Sequence, residues 1–116
     1  MTFIQILLTL ICVIAISSGQ LLFKLAGIEI QIAGGWQSWR VFYITSVAIA
    51  IYGLTTLLWI NLLRELPLNK AYFFMTLSFV IVPIASHFIF SESLTMGMLI
   101  GMILILFGIF ITICYR

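Results

Sequence analysis

The chain has 116 residues, of which 65% are hydrophobic and 7% are charged, and its mean hydropathy is +1.35. This composition excludes a water-soluble fold with a charged surface and indicates a membrane protein. A helix needs roughly 20 apolar residues to cross the hydrocarbon, so the chain has room for at most about five spans. We therefore expect one integral membrane domain over residues 1–116, with no soluble catalytic or ATP-binding domain, no cofactor and no nucleic-acid partner.

Four uncharged stretches predict four transmembrane helices, because each is long enough to cross a bilayer and open-edged strands are not viable in lipid. The predicted helices cover residues 3–23, 41–63, 71–90 and 96–115. The fold class is therefore an all-α bundle of four transmembrane helices. The chain begins without the basic region of a signal peptide, so we expect the first helix to be retained.

The charges give only a weak indication of membrane orientation. In a four-span protein, Arg64, Lys70 and Arg116 lie on the side of the termini, while Lys24 and Arg40 lie on the other side. Under the positive-inside rule, this difference weakly predicts that both termini are cytoplasmic. The near balance also suits insertion in both orientations or pairing with an inverted partner.

One face of the first predicted helix is polar. Thr9, Ser17, Gln20 and Lys24 fall within about 80° of one another at 100° per residue. Small and polar residues in a span serve helix packing, but a costly polar group in the membrane also indicates the wall of a transport pathway. Both interpretations stay open, and Lys24 can also extend its ammonium to the headgroups.

The third and fourth predicted helices also carry distinctive stripes. In the third, Tyr72, Thr76 and His87 share a face of about 80° with Pro83, at which we expect a kink. His87 is interpreted either as a proton site or as a satisfied interfacial histidine. In the fourth, a narrow face of small and apolar residues predicts close helix contact and dimerisation, and it comprises Gly97, Gly101, Leu104, Ile105 and Gly108.

Four motifs resemble the short four-helix branch of the drug/metabolite transporter superfamily. They are the end of helix 1 from Ser18 to Lys24, the Leu66-Pro67 to Ala71-Tyr72 segment, the turn from Ser91 to Thr95, and the glycine pattern from Gly101 to Gly108. The resemblance implies a bundle of the small multidrug resistance type. It also implies that the glycine pattern forms a dimer contact.

The chain differs from proton-coupled drug exporters at a position that is essential to their mechanism. Those proteins carry a membrane-embedded Glu where this chain has Ile16, and Glu29, Glu65 and Glu92 are expected in loops. The chain more closely resembles the subunits of the aminoarabinose-phosphoundecaprenol flippase, which lack that Glu. This resemblance implies a dimeric transporter or transporter subunit in the bacterial cytoplasmic membrane that flips a polyprenyl-phosphate-linked sugar.

An anionic lipid phosphate needs cations or hydrogen-bond donors in its site. The residues that we expect to contact the substrate are Ser17, Gln20, Lys24, Arg40, Tyr72 and Thr76. Because four helices are half of an inverted-repeat transporter, we expect a homodimer, which can be antiparallel, or a heterodimer with a paralogous small membrane protein. Two alternatives remain: a small multidrug or metabolite exporter of the same superfamily, and an adaptor that only assembles another protein.

Overall fold

The computed structural model describes residues 2–115, and within that range it contains α-helices and no strand. Five helices follow one another: α1 (Phe3–Ala33), α2 (Trp39–Leu63), α3 (Leu68–Met75), α4 (Ser78–Phe90) and α5 (Met96–Cys114). α3 and α4 together form one apolar segment, so four segments of the described chain are long and apolar enough to cross a membrane. The predicted all-α class with four spans is confirmed. Arg116, used above for orientation, lies outside the described residues.

The first helix is ten residues longer than predicted. Its start is fixed by a capping box, in which the Thr2 hydroxyl accepts from the Gln5 amide at 3.2 Å and the Gln5 side chain accepts from the Thr2 amide at 3.0 Å. It ends where Gly34 adopts a left-handed conformation, with φ of 78°. The predicted end at residue 23 and the predicted loop from residue 24 were wrong, because a charge marks the edge of the apolar region and not the end of the helix.

The third predicted helix is interrupted earlier than expected. The amides of Thr76 and Leu77 bond to carbonyls three residues back, so the chain forms a tight turn between α3 and α4. The Ser78 hydroxyl also donates to the Met75 carbonyl at 2.9 Å. Pro83 lies inside α4. The break therefore lies one to two turns before the expected kink, where side-chain hydroxyls compete for backbone carbonyls.

α1 occupies the centre of the bundle. It packs against α2, α3 and α4, whereas α5 packs against α3 and α4 at the edge. The buried apolar cluster joins α1, the end of α2 and the start of α3, and it consists of Cys12, Leu62, Leu66 and Ala71. The shortest principal dimension is 17 Å. The bundle is thus flat, and much of the apolar surface of α5 is left uncovered.

Two polar contacts define the ends of the bundle. At one end the Gln5 amide donates to the Glu65 carboxylate at 3.0 Å, and at the other the Arg40 guanidinium pairs with Glu29 at 3.1 Å. We call these the Glu65 end and the Glu29 end. α2 runs from one to the other over 25 residues, about 37 Å at 1.5 Å per residue. The two ends therefore lie near opposite membrane surfaces.

Candidate functional site

The best defined polar arrangement between spans joins α1 to α2. The Gln20 side-chain amide donates to the Tyr52 hydroxyl. The Tyr52 ring stacks on Phe23 with centroids 5.2 Å apart, and it lies directly over the buried Gly19, where an added Cβ would come within 2.6 Å of a ring carbon. Three residues of α1 therefore fix the position of this phenol.

Sequence reasoning did not identify Tyr52. Thr45, Tyr52 and Thr56 fall within about 40° of one another on α2, but this polar stripe was not identified, and the partner Gln20 lies 32 positions away on another helix. A second signal was present, since a phenol inside an apolar span needs a hydrogen-bond partner. An amide on another span is a suitable partner, so pairing the polar groups of different spans could have suggested the contact.

Lys24 follows Gln20 by one turn and lies on the same face of α1. Its side chain is exposed. Among residues 2–115, the structure contains one ion pair, between Arg40 and Glu29. The Lys24 ammonium therefore pairs with no carboxylate of the described residues. A cation and an amide–phenol pair on one face provide donors that suit an anionic oxygen.

The predicted polar face of α1 divides into a packed part and an open part. Ser17 is 2% exposed and its hydroxyl donates to the Val13 carbonyl at 2.7 Å. Thr9 is fully buried and bonds in the same way to the Gln5 carbonyl. Both hydroxyls are satisfied inside the helix and contribute to packing, whereas Gln20 and Lys24 are exposed. Helix packing therefore explains Thr9 and Ser17, whereas the interpretation as the wall of a transport pathway applies to Gln20 and Lys24.

Arg40 lies at the Glu29 end, at the start of α2. Its side chain is 74% exposed, while that of Glu29 is 14% exposed. Glu29 lies within α1, so the expectation that it belongs to a loop was wrong. It follows Lys24 by five residues, about 7.5 Å along the helix. Arg40 therefore lies toward the same membrane surface as Lys24, with part of its charge balanced by Glu29.

Tyr72 and Thr76 lie outside the α1–α2 arrangement. Tyr72 is exposed on α3, near the Glu65 end. Thr76 lines a groove of about 480 Å³ between the α3–α4 segment and α5, with walls that include Phe79 and Gly108. No residue of α1 or α2 is part of that wall. The six predicted substrate residues are therefore distributed over two regions of the bundle.

His87 lies near the Glu29 end and contacts the connection between α4 and α5. Its Nδ1 donates to the Glu92 carbonyl at 2.6 Å. The chain turns between them at Ser91, which has a φ of 57°. This geometry stabilises the end of α4. Proton transfer by His87 stays a prediction.

The predicted dimer face of α5 is open in the single chain. A Cβ added to Gly101 or Gly108 would meet no atom within 4 Å, and one added to Gly97 would meet only the Thr95 hydroxyl at 3.8 Å. Leu104 is 64% exposed. Ile105 and Gly108 also line the groove beside Thr76. The face thus has room for close approach of another helix.

Carboxylates are scarce inside the described spans. Ile16 is a half-buried aliphatic residue, and Glu65 and Glu92 lie outside the helices. No group of three or more His, Cys, Asp or Glu residues in the described part of the chain could hold a metal ion. The electrostatic character of the candidate site therefore comes from its cations and neutral donors.

Comparison with known proteins supports a specific resemblance. No protein-family model and no solved structure matches the chain. The chain is 38% identical over 64 residues to a protein of Yersinia pestis named probable 4-amino-4-deoxy-L-arabinose-phosphoundecaprenol flippase subunit ArnE, covering 55% of this chain and 56% of that protein. The protein of the same name from Yersinia pseudotuberculosis has the same values.

A third relative with the same name comes from Hamiltonella defensa. It is 38% identical over 53 residues, covering 46% of this chain and 48% of that protein. The matches thus span about half the length of these relatives. The predicted resemblance to aminoarabinose flippase subunits is confirmed, and the chain is a multi-pass membrane protein with sequence similarity to them.

Proposed function

We propose that the chain is a subunit of a transporter in the bacterial cytoplasmic membrane that translocates a sugar carried on a polyprenyl phosphate. The observation that carries this proposal is the open Lys24 cation beside the Gln20–Tyr52 pair in a chain similar to ArnE. Under the positive-inside rule, Arg64 and Lys70 favour a cytoplasmic location for the Glu65 end.

The chemistry of the substrate explains why these groups suit it. A phosphate that leaves bulk water needs a cation and hydrogen-bond donors, because an unpaired charge near hydrocarbon is costly. Lys24 supplies the charge near the Glu29 end, where headgroups lie. Gln20 and Tyr52 supply amide and hydroxyl groups for the sugar or a phosphate oxygen. The hydrocarbon tail needs only an apolar opening between helices.

Export of a hydrophobic cation fits these residues less well. Such a substrate needs a carboxylate within the span, and the corresponding position is Ile16. Glu29 is in a helix, but it lies near the membrane surface and is paired with Arg40. The balance of charge therefore favours an anionic substrate.

The proposal includes a second chain. Four spans are half of an inverted-repeat transporter, whose substrate site lies between two repeats. The α5 face of Gly97, Gly101 and Gly108 has room for close helix contact, and the relatives are named as subunits. We propose that this face binds either a second copy or a paralogous small membrane protein.

We expect Gly101→Leu and Gly108→Leu to weaken this association by at least about tenfold, or about 1.4 kcal/mol. The Cβ of each leucine meets no atom within 4 Å in the single chain, so we expect folding to be preserved while close helix approach is blocked. Single-molecule photobleaching in bilayers measures the fraction of paired chains. Gly53→Leu on α2 is the matched control, since a Cβ there also meets no atom within 4 Å. An unchanged paired fraction in both α5 variants would contradict this interface.

Reconstitution tests the proposed activity. Proteoliposomes would contain the full chain, alone and with the small membrane protein encoded nearest to its gene. Movement of a fluorescently labelled polyprenyl phosphosugar between leaflets is measured, and ethidium efflux under a pH gradient is measured in parallel. We expect movement of the lipid and no efflux of the dye. Proton-driven ethidium efflux without lipid movement would overturn the proposal in favour of an exporter.

A further inference from the structure

A second region with chemistry suited to a lipid lies at the Glu65 end. A cavity of about 100 Å³ there is lined by Lys70, Ile6 and Thr112 together with aromatic and aliphatic residues. Phe73 and Ile109 line both this cavity and the larger groove beside Thr76. The two cavities therefore adjoin each other at these two residues, and we call them together the α3–α5 groove.

The wall of this groove is apolar apart from a few groups. The lower part, toward the membrane interior, is lined by Phe79, Ile105 and Gly108 with Thr76. The missing side chain of Gly108 leaves space on the α5 wall, since an added Cβ there meets no atom within 4 Å. A groove of this kind suits a hydrocarbon chain, since it offers apolar contact along its length.

The mouth of the groove is positive. Among residues 2–115, Lys70 is the one charged residue in its lining. Lys70 also lies in the first turn of α3, which has no side-chain cap and no acidic residue, so the helix dipole adds to the positive potential. Glu65, at the same end of the bundle, accepts from Gln5 at 3.0 Å and is not among the residues that line this cavity. An apolar track with a cation at its membrane-surface end complements a lipid with an anionic head.

The spacing of Lys70 from Lys24 gives this site a place in transport. Ile6 shares the groove mouth with Lys70, and Lys24 follows Ile6 by 18 residues on the continuous helix α1. This separation is about 27 Å along the helix, close to the roughly 30 Å thickness of the hydrocarbon. The two cations therefore lie near opposite membrane surfaces.

We propose that the α3–α5 groove binds the tail of a polyprenyl phosphate while Lys70 binds its phosphate at the Glu65 end. A single track between two helical walls suits a single hydrocarbon chain, whereas a phospholipid would leave its second tail outside. The identity of this lipid rests on the proposed function. On that basis, the same phosphate meets Lys70 at one membrane surface and Lys24 at the other.

Photolabelling tests the groove without requiring transport. The full chain is placed in phosphatidylcholine nanodiscs with a polyprenyl phosphate that carries a diazirine in its tail, and labelled peptides are mapped by mass spectrometry. We expect labels on α3 and α5. Lys70→Met should reduce labelling at least tenfold, and Lys70→Arg should restore it. Arg64→Gln removes a positive charge from the same end outside the groove lining, and it should leave the labelling unchanged.

A second variant separates the tail from the headgroup. Thr76→Phe keeps Lys70 and fills the groove, so it should remove the labels from α5. Equal labelling of the wild type, Lys70→Met and Thr76→Phe would overturn the proposal. Competition by phosphatidylglycerol as strong as that by unlabelled undecaprenyl phosphate would also overturn it, because the groove would then hold ordinary anionic lipid.

Failure of this inference can be distinguished from failure of the proposed function. A protein that translocates the polyprenyl phosphosugar but is not labelled in the groove would overturn the groove assignment alone. Labelling that depends on Lys70, in a protein that moves no lipid when its partner is present, would overturn the proposed function and support the groove.

Discussion

Gly19→Ala is expected to destabilise the chain by about 2 kcal/mol, the typical cost of forcing extra volume into a packed contact. The added Cβ would come within 2.6 Å of a Tyr52 ring carbon. The ring cannot simply swing away, since it stacks on Phe23 and its hydroxyl accepts from Gln20. α1 and α2 would therefore have to separate. Thermal unfolding followed by circular dichroism measures the loss.

Gly27→Ala on the same helix is the matched control. A Cβ there meets no atom within 4 Å, and alanine is about 1 kcal/mol more favourable than glycine inside a helix. We therefore expect Gly27→Ala to be neutral or stabilising. If the Gly19→Ala and Gly27→Ala variants were equally stable, the close approach of Tyr52 to α1 would be contradicted.

A double substitution identifies the cause of the Gly19 effect. Tyr52→Ala removes the ring that the new Cβ meets. Gly19→Ala should therefore cost less stability in a chain that already carries Tyr52→Ala. We expect Gly19→Ala with Tyr52→Ala to be more stable than the sum of the two single effects by about 1 kcal/mol or more. Additive effects would mean that Gly19 matters for a reason other than this contact.

The spans could be predicted because charge is excluded from hydrocarbon, but charge does not specify where a helix ends. Lys24 and Glu29 interrupt the apolar run while the backbone continues in a helix to Ala33. The true end depends on Gly34, which takes the left-handed conformation. The break before α4 depends on hydroxyl groups near Thr76 that bond to the backbone. Local hydrogen bonding decides both boundaries.

The candidate site was only partly predictable for a different reason. Periodicity placed Ser17, Gln20 and Lys24 on one face of α1, but it cannot say which part of that face another helix covers. The structure buries Ser17 and leaves Gln20 and Lys24 open. Tyr52 became part of the site only through a contact with Gln20 on another helix. Such contacts depend on tertiary packing, which periodicity does not contain.

Lys24→Met is expected to reduce translocation of a polyprenyl phosphosugar at least tenfold. A hydrogen bond to a charged group contributes roughly 1.5–3 kcal/mol, and about 1.4 kcal/mol corresponds to tenfold. Methionine keeps the length and apolar stem of lysine, so folding and helix position are preserved. Lys24→Arg should retain most of the activity because it restores a cation at the same depth.

Substitution in the Gln20–Tyr52 pair should reduce translocation less than Lys24→Met does. Gln20→Ala removes a neutral donor and leaves the Tyr52 hydroxyl without this bond, so we expect a loss of several-fold, in line with about 1 kcal/mol. Ser18→Ala is the matched control, because Ser18 is exposed on α1 and its hydroxyl donates to the Ile14 carbonyl at 2.9 Å. The Ser18→Ala variant should translocate the polyprenyl phosphosugar at the wild-type rate.

The order of these effects separates a substrate contact from a membrane anchor. A lysine that only extends to the headgroups contributes to insertion depth, and arginine or methionine would then change the rate little. A lysine that binds the phosphate gives the order wild type, Lys24→Arg, Gln20→Ala and Lys24→Met, from fastest to slowest. Unchanged translocation by correctly inserted Lys24→Met would overturn the assignment of Lys24 as the phosphate contact at the Glu29 end.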